Sequence, residues 1–408
     1  MGNAIRIFAL VMLGGVFVME GYDINAMALA VPRLEGSLGL SPTSFGWVFT
    51  ALLLGLGIGG ATLAPFGDRF GRRALIVSGC AATGVFTLAT STADTITEFL
   101  IWRGLTGIAL GAALPNVSAL SAELAPDKWR ATIMAVVSAG IPLGLAIAGV
   151  MAPFVIDAAG WQGLFLVPGG FALLLALILR FALPGGLPIT GGKPAKAGAV
   201  PQAEVFTLPW AIPFAVFCTM LALNALNLYL LNSWVPTVLP QAGFSLDDAA
   251  QISGVVQFAG LGIGVLVSLG IDRWNRAWPL VLMFAAMAIC FLVVSLTPPT
   301  PTLWITLLCV GVGGASAGGM ALPALCVYLF APRLLSTAIG LGVLVARIGA
   351  FMGPLLGQVL LDADAGPHAF FFAAAVPAAL CAIAALLIPM ALKVRQRDDE
   401  PEAAVAAG

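Results

Sequence analysis

Charge is scarce in this sequence. Only 9% of its 408 residues are charged, whereas 60% are hydrophobic. A soluble domain carries about a quarter charged residues, so the composition excludes a chain whose whole surface faces water. We therefore expect lipid to be the main solvent of this chain, and we expect the fold to be that of an all-α membrane protein.

Side chains suited to metal or redox chemistry are also few. The six cysteines all lie within apolar runs, and none has the spacing of a zinc site or a disulfide framework. The single histidine, His368, lies at the edge of a loop, and the sequence has no Gly-x4-Gly-Lys-Ser/Thr loop for ATP. We expect no metal, no cofactor, no enzyme activity and no nucleic-acid partner.

Long apolar runs, in contrast, are frequent. A membrane-spanning helix needs about 20 mostly apolar residues. The eighth apolar run is preceded by Ser245, with Asp247 and Asp248 shortly after, which predicts a helix start there. A serine hydroxyl can cap the N-terminus of a helix, and acidic charge is favourable at that end of the helix dipole. The twelve predicted spans are residues 7–31, 45–66, 74–92, 98–121, 131–153, 162–182, 209–239, 247–270, 278–297, 302–330, 335–360 and 368–392.

The basic residues predict the orientation of these spans. With the N-terminus placed inside, 15 of the 18 Lys and Arg residues lie in cytoplasmic segments, and only Arg33 lies in an outer loop. Basic residues concentrate in the cytoplasmic loops of membrane proteins. The pattern therefore predicts a multi-pass protein with both termini in the cytoplasm.

Internal repetition divides the chain into halves. Asp68 after the second span and Asp272 after the eighth are 204 residues apart, and Ala125-Pro126 recurs as Ala331-Pro332. Two bundles of the same orientation, with a site between them, form a transporter architecture. We predict six-helix bundles at 1–182 and 207–392, a cytoplasmic linker at 183–206 and a cytoplasmic tail at 393–408.

Two acids and one base of the first half lie within predicted spans, away from the span ends. Glu20 and Asp23 lie three residues apart on one face of the first span, and Arg103 lies in the fourth. A charge inside a membrane costs about 2.5–3.5 kcal/mol, and two neighbouring buried acids favour the uptake of a proton. We predict proton coupling by the two acids, tuned by Arg103. The alternative is a fixed ion pair that only joins helices.

Arg347 is a further charge inside a span. It is alone in the eleventh span, with no acid within one helical turn. Because a guanidinium matches the geometry of a carboxylate, we predict that Arg347 binds an anionic ligand. The alternative is that it pairs with an acid or with backbone carbonyls of another helix.

Amides, phenols and an indole also lie within five of the spans. Such groups suit an oxygenated planar ligand, and hydrogen bonding between helices is the alternative. The whole set is Tyr22, Asn25, Asn116, Asn224, Asn227, Tyr229, Asn232, Trp234, Gln257 and Tyr328. The members predicted to bind substrate are Tyr22, Asn25, Asn116, Asn232, Trp234 and Tyr328.

The loop after the second span carries a basic motif. The sequence from Ala64 to Arg73 is similar to the Gly-x3-Asp-Arg-x-Gly-Arg-Arg motif of the major facilitator superfamily, with Ala64 in place of the first glycine. The resemblance implies that this loop latches the inner face, with Asp68 and Arg72 in that role. Glu123 is expected to join nearby basic loops in a salt-bridge cluster. The predicted motif residues of both halves are Gly67, Asp68, Arg69, Gly71, Arg72, Arg73, Glu123, Asp272 and Arg273.

Within that superfamily the chain resembles the aromatic acid:proton symporters. Their first span carries Asp-Gly-Tyr/Phe-Asp, and this chain has Glu20-Gly21-Tyr22-Asp23; the stretches that begin at Arg103, Ser233 and Arg347 are also similar. The resemblance implies the major facilitator fold and uptake of anions such as 4-hydroxybenzoate, protocatechuate or benzoate together with protons. We also expect a bacterial inner-membrane location and function as a monomer.

The predicted function is proton-coupled import of an aromatic carboxylate. Proton-driven efflux of a drug or metabolite is one alternative, although the stretch from Gly140 to Gly144 in the fifth span departs from the Gly-Pro pattern of antiporters. Symport of a non-aromatic organic anion also stays open. A membrane sensor without transport is disfavoured, because no sizeable soluble output domain is expected.

Overall fold

The structure is a computed structural model, and it describes residues 3–183, 202–273 and 278–393. These residues form α-helices and three short 3-10 helices, and they contain no strand. The α-helices are α1 (Asn3–Leu38), α2 (Gly46–Thr62), α3 (Phe66–Phe70), α4 (Arg72–Thr90), α5 (Ile96–Leu124), α6 (Arg130–Ser138), α7 (Gly140–Ala159), α8 (Gly163–Ala182), α9 (Ala211–Gln241), α10 (Leu246–Arg273), α11 (Trp278–Leu296), α12 (Pro301–Leu329), α13 (Pro332–Asp362) and α14 (Gly366–Ala385).

Twelve stretches of the described helices are long and apolar enough to cross a membrane. A helix suits this environment because it satisfies its own backbone hydrogen bonds, which lipid cannot do. The short α3 lies in the loop between the second and third stretches, and α6 and α7 together form the fifth. The predicted all-α membrane protein with twelve spans is therefore confirmed for the described part of the chain.

The fifth span is broken where the sequence predicts one continuous helix at 131–153. Helix α6 ends at Ser138, and α7 begins at Gly140 and runs on to Ala159. Pro142 has no N–H to donate to the carbonyl of Ser138, four residues earlier. The regular hydrogen bonding is therefore interrupted at this point, and the span divides in two.

The first helix is longer than the sequence predicts. It continues through Pro32 to Leu38, so Arg33 lies on a helix and not in a loop, which corrects the earlier placement. A proline leaves one carbonyl without its helical donor, and membrane helices tolerate this where other groups supply hydrogen bonds. The carbonyl that Pro32 leaves without its donor is that of Ala28; the Arg33 guanidinium donates to the next carbonyl, that of Leu29, at 3.2 Å.

The described residues pack as two compact units. The first unit contains residues 3–183, 232–258 and 354–364, so parts of α9, α10 and α13 pack with the first half of the chain. The second contains the remaining described residues. The division into bundles at 1–182 and 207–392 stays a prediction. Residues 184–201 of the predicted linker and 394–408 of the predicted tail lie outside the described residues.

Small residues bring two helices of the first unit close together. Helix α2 packs against α5. A Cβ atom on Gly55 would lie 2.3 Å from the carbonyl oxygen of Gly104, and one on Gly107 would lie 2.1 Å from that of Leu52. Small residues permit such an approach of backbones in membranes. Arg103 lies one turn before Gly107, so this packing fixes the helix that carries it.

Candidate functional site

A buried ion pair joins α1 to α5 in the first unit. Arg103 Nη1 donates to both carboxylate oxygens of Asp23, each at 2.9 Å, and Arg103 Nη2 donates to the main-chain carbonyl of Asp23 at 2.9 Å. Asp23 is 0% exposed and Arg103 is 1% exposed. Removing one partner of such a pair typically costs about 3–5 kcal/mol, because the other charge is left buried alone. In this state each charge therefore compensates the other, and the ion pair joins α1 to α5.

Two further side chains surround the pair. Thr87 of α4 donates its hydroxyl to Asp23 Oδ1 at 3.0 Å. The guanidinium carbon of Arg103 lies 6.0 Å from the centroid of the Phe165 ring on α8, at the limit of a cation–π attraction. Sequence reasoning missed both residues. A hydroxyl within the apolar third span was the only signal for Thr87, and Phe165 had none.

Glu20, the second predicted acid, is also kept from solvent. It lies one helical turn before Asp23 on α1 and is 5% exposed. Gly21 lies between them in sequence, and a Cβ atom there would lie 1.9 Å from the carbonyl oxygen of Ile141 on α7. Gly21 therefore has a role in helix packing, because the absence of a side chain lets α7 approach α1 closely.

Two predicted substrate-binding residues of α1 differ in their contacts. The Tyr22 side chain is buried, and its hydroxyl has no hydrogen-bond partner among the described residues. Asn25 Nδ2 donates to the carbonyl oxygen of Leu145 on α7 at 2.9 Å. A buried polar group without a hydrogen-bond partner destabilises a protein by about 1–3 kcal/mol. A ligand that forms a hydrogen bond with the Tyr22 hydroxyl would remove this cost and so bind more tightly. Asn25 makes the hydrogen bond between helices that the alternative interpretation expects, and its role in binding stays a prediction.

Asn232 and Trp234 of α9 belong to the first unit. Gln257 Nε2 of α10 donates to Asn232 Oδ1 at 2.8 Å. Trp234 is fully buried, and its Nε1 donates to the carbonyl oxygen of Pro354 at 2.9 Å. Its ring meets that of Phe49 edge to face, with centroids 5.3 Å apart. In this state Trp234 therefore packs α9 against α2 and α13, and its role in binding stays a prediction.

Two other predicted binding residues lie beside the loop motifs. Asn116 Nδ2 donates to the carbonyl oxygen of Ala64 at 3.1 Å, and a Cβ atom on Gly67 would lie 1.8 Å from Asn116 Oδ1. In the second unit, Tyr328 donates its hydroxyl to Asp272. Each side chain thus contacts the motif of its own half, a placement that spacing in the sequence did not predict. A role in substrate binding stays a prediction for both.

Arg347 lies half-buried on α13 in the second unit. No hydrogen bond or ion pair joins it to another residue that the structure describes. Charged side chains in membrane helices usually pair with another charge or with backbone carbonyls. The guanidinium is therefore available to an anionic ligand in this state.

The basic motif contacts the C-terminal end of α5. Arg72 forms an ion pair with Glu123, as the sequence led us to expect. Nearby, Arg6 donates to the carbonyl oxygen of Leu124, and Arg130 Nε donates to a main-chain carbonyl of the last turn at 3.1 Å. Cations are favoured at this end of a helix dipole. The latch role of these contacts stays a prediction.

The remaining motif residues lie around the turn between α3 and α4. Gly71 has φ of +94°, which a residue with a side chain rarely adopts. Arg73 donates to a main-chain carbonyl of α8. Arg69 and, in the second half, Arg273 are exposed. The side chain of Asp68 lies outside the described part of the structure.

Carboxylic acids such as Glu20 and Asp23 are of the type that can carry a proton, whereas the guanidinium of Arg103 stays charged and can compensate a carboxylate. The described residues contain no group of three or more His, Cys, Asp or Glu side chains placed to hold a metal ion. The site thus combines a carboxylate–guanidinium pair with a second buried acid inside membrane-spanning helices.

Comparison with known proteins gives consistent similarities. The family model described as Major Facilitator Superfamily matches residues 11–354. The chain is 29% identical to the 4-hydroxybenzoate transporter PcaK of Acinetobacter baylyi, over 90% of this chain and 88% of that protein. It is 29% identical to the 3-(3-hydroxy-phenyl)propionate transporter of Escherichia coli K12, over 93% of each. It is 28% identical to the gallate transporter of Pseudomonas putida, over 91% and 89%.

Solved structures of transporters have a similar fold. A bacterial homolog of the human lysosomal transporter Spinster superposes with a TM-score of 0.78 at 17% identity, over 98% of this chain and 99% of that one. A D-xylose-proton symporter superposes with a TM-score of 0.75 at 18% identity, over 95% and 97%. At such identities the likeness concerns the fold alone.

Proposed function

This chain belongs to the major facilitator superfamily, and from that membership we propose that it imports an aromatic carboxylate together with protons. The chain is a multi-pass membrane transporter and not an enzyme, as the sequence predicts. The similar transporter structures confirm the predicted fold class. Relatives named for 4-hydroxybenzoate, gallate and 3-(3-hydroxy-phenyl)propionate support an aromatic acid as the substrate.

The buried group of Glu20, Asp23 and Arg103 is the observation that carries the proton coupling. Two ionised acids and one guanidinium have a net charge of −1, and a net charge inside the membrane is costly. One proton brings the group to neutrality. In the described state Arg103 holds Asp23 through three hydrogen bonds. We infer that gain and loss of a proton here accompany rearrangement of α1 and α5.

Arg347 is our candidate for recognition of the carboxylate. A guanidinium forms two parallel, charge-assisted hydrogen bonds with a carboxylate. Its lack of a partner among the described residues supports this role. Tyr22, with a buried hydroxyl that has no described partner, is the candidate on α1 for contact with an oxygen of the substrate.

We further propose that the protein lies in a bacterial inner membrane with both termini in the cytoplasm and functions as a monomer. The segments that would then be cytoplasmic hold 15 of the 18 basic residues, as the positive-inside tendency requires. The organisms of its relatives, Acinetobacter, Escherichia and Pseudomonas, support the bacterial location.

Uptake by the purified protein in liposomes tests the proposal. We expect labelled 4-hydroxybenzoate to accumulate when the outside is more acidic than the inside, and a protonophore to abolish the accumulation. Protein-free liposomes are the necessary control, because a protonated aromatic acid crosses lipid unaided. An initial rate that is the same with and without a pH gradient would contradict proton coupling, and uptake driven only by an acidic inside would favour efflux.

A substitution within the acid group sharpens the test. Glu20→Gln removes one charge without breaking the bonds of Arg103 to Asp23. We expect it to abolish accumulation against a gradient while exchange of labelled for unlabelled substrate continues, since exchange needs no net proton movement. Accumulation at the wild-type level would remove Glu20 from the proton role.

A further inference from the structure

Asp23 has a second hydrogen-bond donor besides Arg103, and it comes from a different helix. We propose that Thr87 of α4 is a positioning residue for proton coupling, which holds Asp23 in its ionised form and so favours release of the proton. This inference rests on the proposed function. It adds a fourth residue to the group of Glu20, Asp23 and Arg103.

The geometry of Thr87 distinguishes it from other threonines in this protein. Buried threonines in membrane helices commonly donate to a carbonyl one turn earlier on their own helix. Thr50, Thr90 and Thr106 do so, bonding the carbonyls of Gly46, Phe86 and Trp102 at 2.9, 2.9 and 2.8 Å. Thr87 instead donates across helices to Asp23 Oδ1, at 3.0 Å.

The hydroxyl and the guanidinium act on the same carboxylate. Asp23 Oδ1 accepts from both Thr87 Oγ1 and Arg103 Nη1, and Thr87 is 1% exposed. A donor to a carboxylate stabilises its charged form over its neutral form. A hydrogen bond to a charged acceptor is also roughly twice as strong as one between neutral groups. Thr87 therefore adds a third side-chain hydrogen bond to the carboxylate of Asp23 in the described state.

The helices that lie near this carboxylate contribute different groups. Arg103 from α5 bonds this carboxylate, and α1 itself carries Glu20 one turn earlier and the buried Tyr22 directly before it. Helix α8 contributes the uncharged Phe165 ring, which lies against Arg103. The parts of α4, α6, α7 and α8 that could contribute more have no charged residue, at 74–90, 131–156 and 163–179. A change at Thr87 therefore acts on a carboxylate that these stretches of α4, α6, α7 and α8 leave without a further charged neighbour.

The test is the pH profile of uptake by the full-length protein in liposomes. Thr87→Val keeps the shape of the side chain and removes the donor. We expect the external pH of half-maximal uptake of 4-hydroxybenzoate to move upward by about 0.5–1 unit, which is about a three- to tenfold gain in proton affinity. Thr87→Ser, which keeps the hydroxyl, should restore the wild-type profile.

Thr83 supplies a matched control. It lies one turn before Thr87 on α4 and is equally buried, at 1% exposed, but its hydroxyl has no hydrogen-bond partner among the described residues. We expect Thr83→Val to leave the profile unchanged. An equal shift in Thr83→Val and Thr87→Val would overturn the proposal, because it would show a general response of α4.

The remaining outcomes also decide the matter. Wild-type uptake without any pH dependence would remove the proposed function itself. A pH-dependent wild type with an unchanged profile in Thr87→Val would overturn only the role of Thr87. Loss of both uptake and exchange at every pH in a folded Thr87→Val protein would indicate a structural role and equally overturn it. If Thr87→Val does not fold, Thr87→Ser and Thr87→Ala are compared instead. Identical pH profiles for these two variants would overturn the role of Thr87.

Discussion

Two arginines lie within membrane helices of this protein, and their surroundings differ. Arg103 is enclosed and bonds Asp23 through both terminal nitrogens. Arg347 is half-buried, and the described part of the chain offers it no hydrogen bond or ion pair. Since a charge in the membrane is costly unless it is compensated, Arg103 is compensated within the protein, and Arg347 suits compensation by a bound anion.

This difference predicts the behaviour of substitutions at Arg347. Arg347→Ala should raise the KM for 4-hydroxybenzoate about tenfold or more, because a hydrogen bond to a charged group contributes about 1.5–3 kcal/mol. Arg347→Lys should raise it less, since a lysine keeps the charge but loses the paired geometry. Initial rates at a fixed pH gradient measure both values.

An uncharged analogue supplies the control for this prediction. 4-Hydroxybenzamide has no carboxylate, so any competition that it exerts on uptake should be equal in the wild type and in Arg347→Ala. A KM that is unchanged in both substituted proteins would exclude contact between Arg347 and the carboxylate.

The sequence predicted the burial of charged residues, whose transfer into the membrane is costly. It predicted the contacts of neutral polar residues less well. Glu20, Asp23 and Arg103 stand out because charged residues are rare in apolar runs, and the structure buries all three. Asn116 and Tyr328 each contact the loop motif of their own half, which the sequence did not predict. The rotation of a helix about its axis, which sets these contacts, depends on neighbouring helices and leaves no mark in the spacing.

Among the helices, the crossing of α1 and α7 bears most directly on the acid group. It takes place at Gly21, between the two acids in sequence, where the carbonyl oxygen of Ile141 occupies the space of a side chain. We predict that Gly21→Ala forces the helices apart and lowers the thermal stability of the purified protein by several degrees. Overpacking of a close contact typically costs about 1–3 kcal/mol.

The same helix carries a matched control for that prediction. A Cβ atom on Gly14 would have no neighbour within 4 Å. Because alanine favours a helix over glycine by about 0.8–1 kcal/mol, Gly14→Ala should leave the melting temperature unchanged or raise it. Equal melting temperatures for Gly14→Ala and Gly21→Ala would show that the crossing tolerates a side chain.

The ends of helices show which local signals the sequence carries. The cap predicted at Ser245 is present, since its hydroxyl accepts from the backbone N–H of Asp248 at 3.0 Å. The break in the fifth span before Pro142 and the continuation of α1 through Pro32 were not predicted. A proline removes one helical hydrogen bond in both places, so a proline in the sequence does not by itself decide whether the helix continues.

For the molecule as a whole, hydropathy predicted the twelve spans, because a membrane-spanning segment needs about 20 apolar residues. Such a segment is helical because a helix satisfies its own backbone hydrogen bonds in lipid. The composition of the compact units was not predictable in this way. In the first unit, Arg33 Nη2 on α1 bonds Asp247 Oδ1 on α10 at 2.7 Å, across 214 residues of sequence. Nothing in the pattern of either helix indicates such a partner.

The charge moved in one transport cycle is likewise a property of the whole molecule. With both acids ionised, the group of Glu20, Asp23 and Arg103 has a net charge of −1; one proton neutralises it, and a second would leave a buried net charge of +1. Since a buried net charge is disfavoured, we predict one proton for each monocarboxylate, which is an electroneutral cycle.

Liposomes with imposed gradients check this stoichiometry. A pH gradient of about 1 unit should drive about tenfold accumulation of 4-hydroxybenzoate beyond that of protein-free liposomes. A potential of about 100 mV, inside negative and set by potassium and valinomycin at equal pH, should drive none. With two protons the same potential would contribute about 2.3 kcal/mol, or roughly fiftyfold accumulation. Such accumulation would show that both acids carry a proton, and that the buried group tolerates a positive charge.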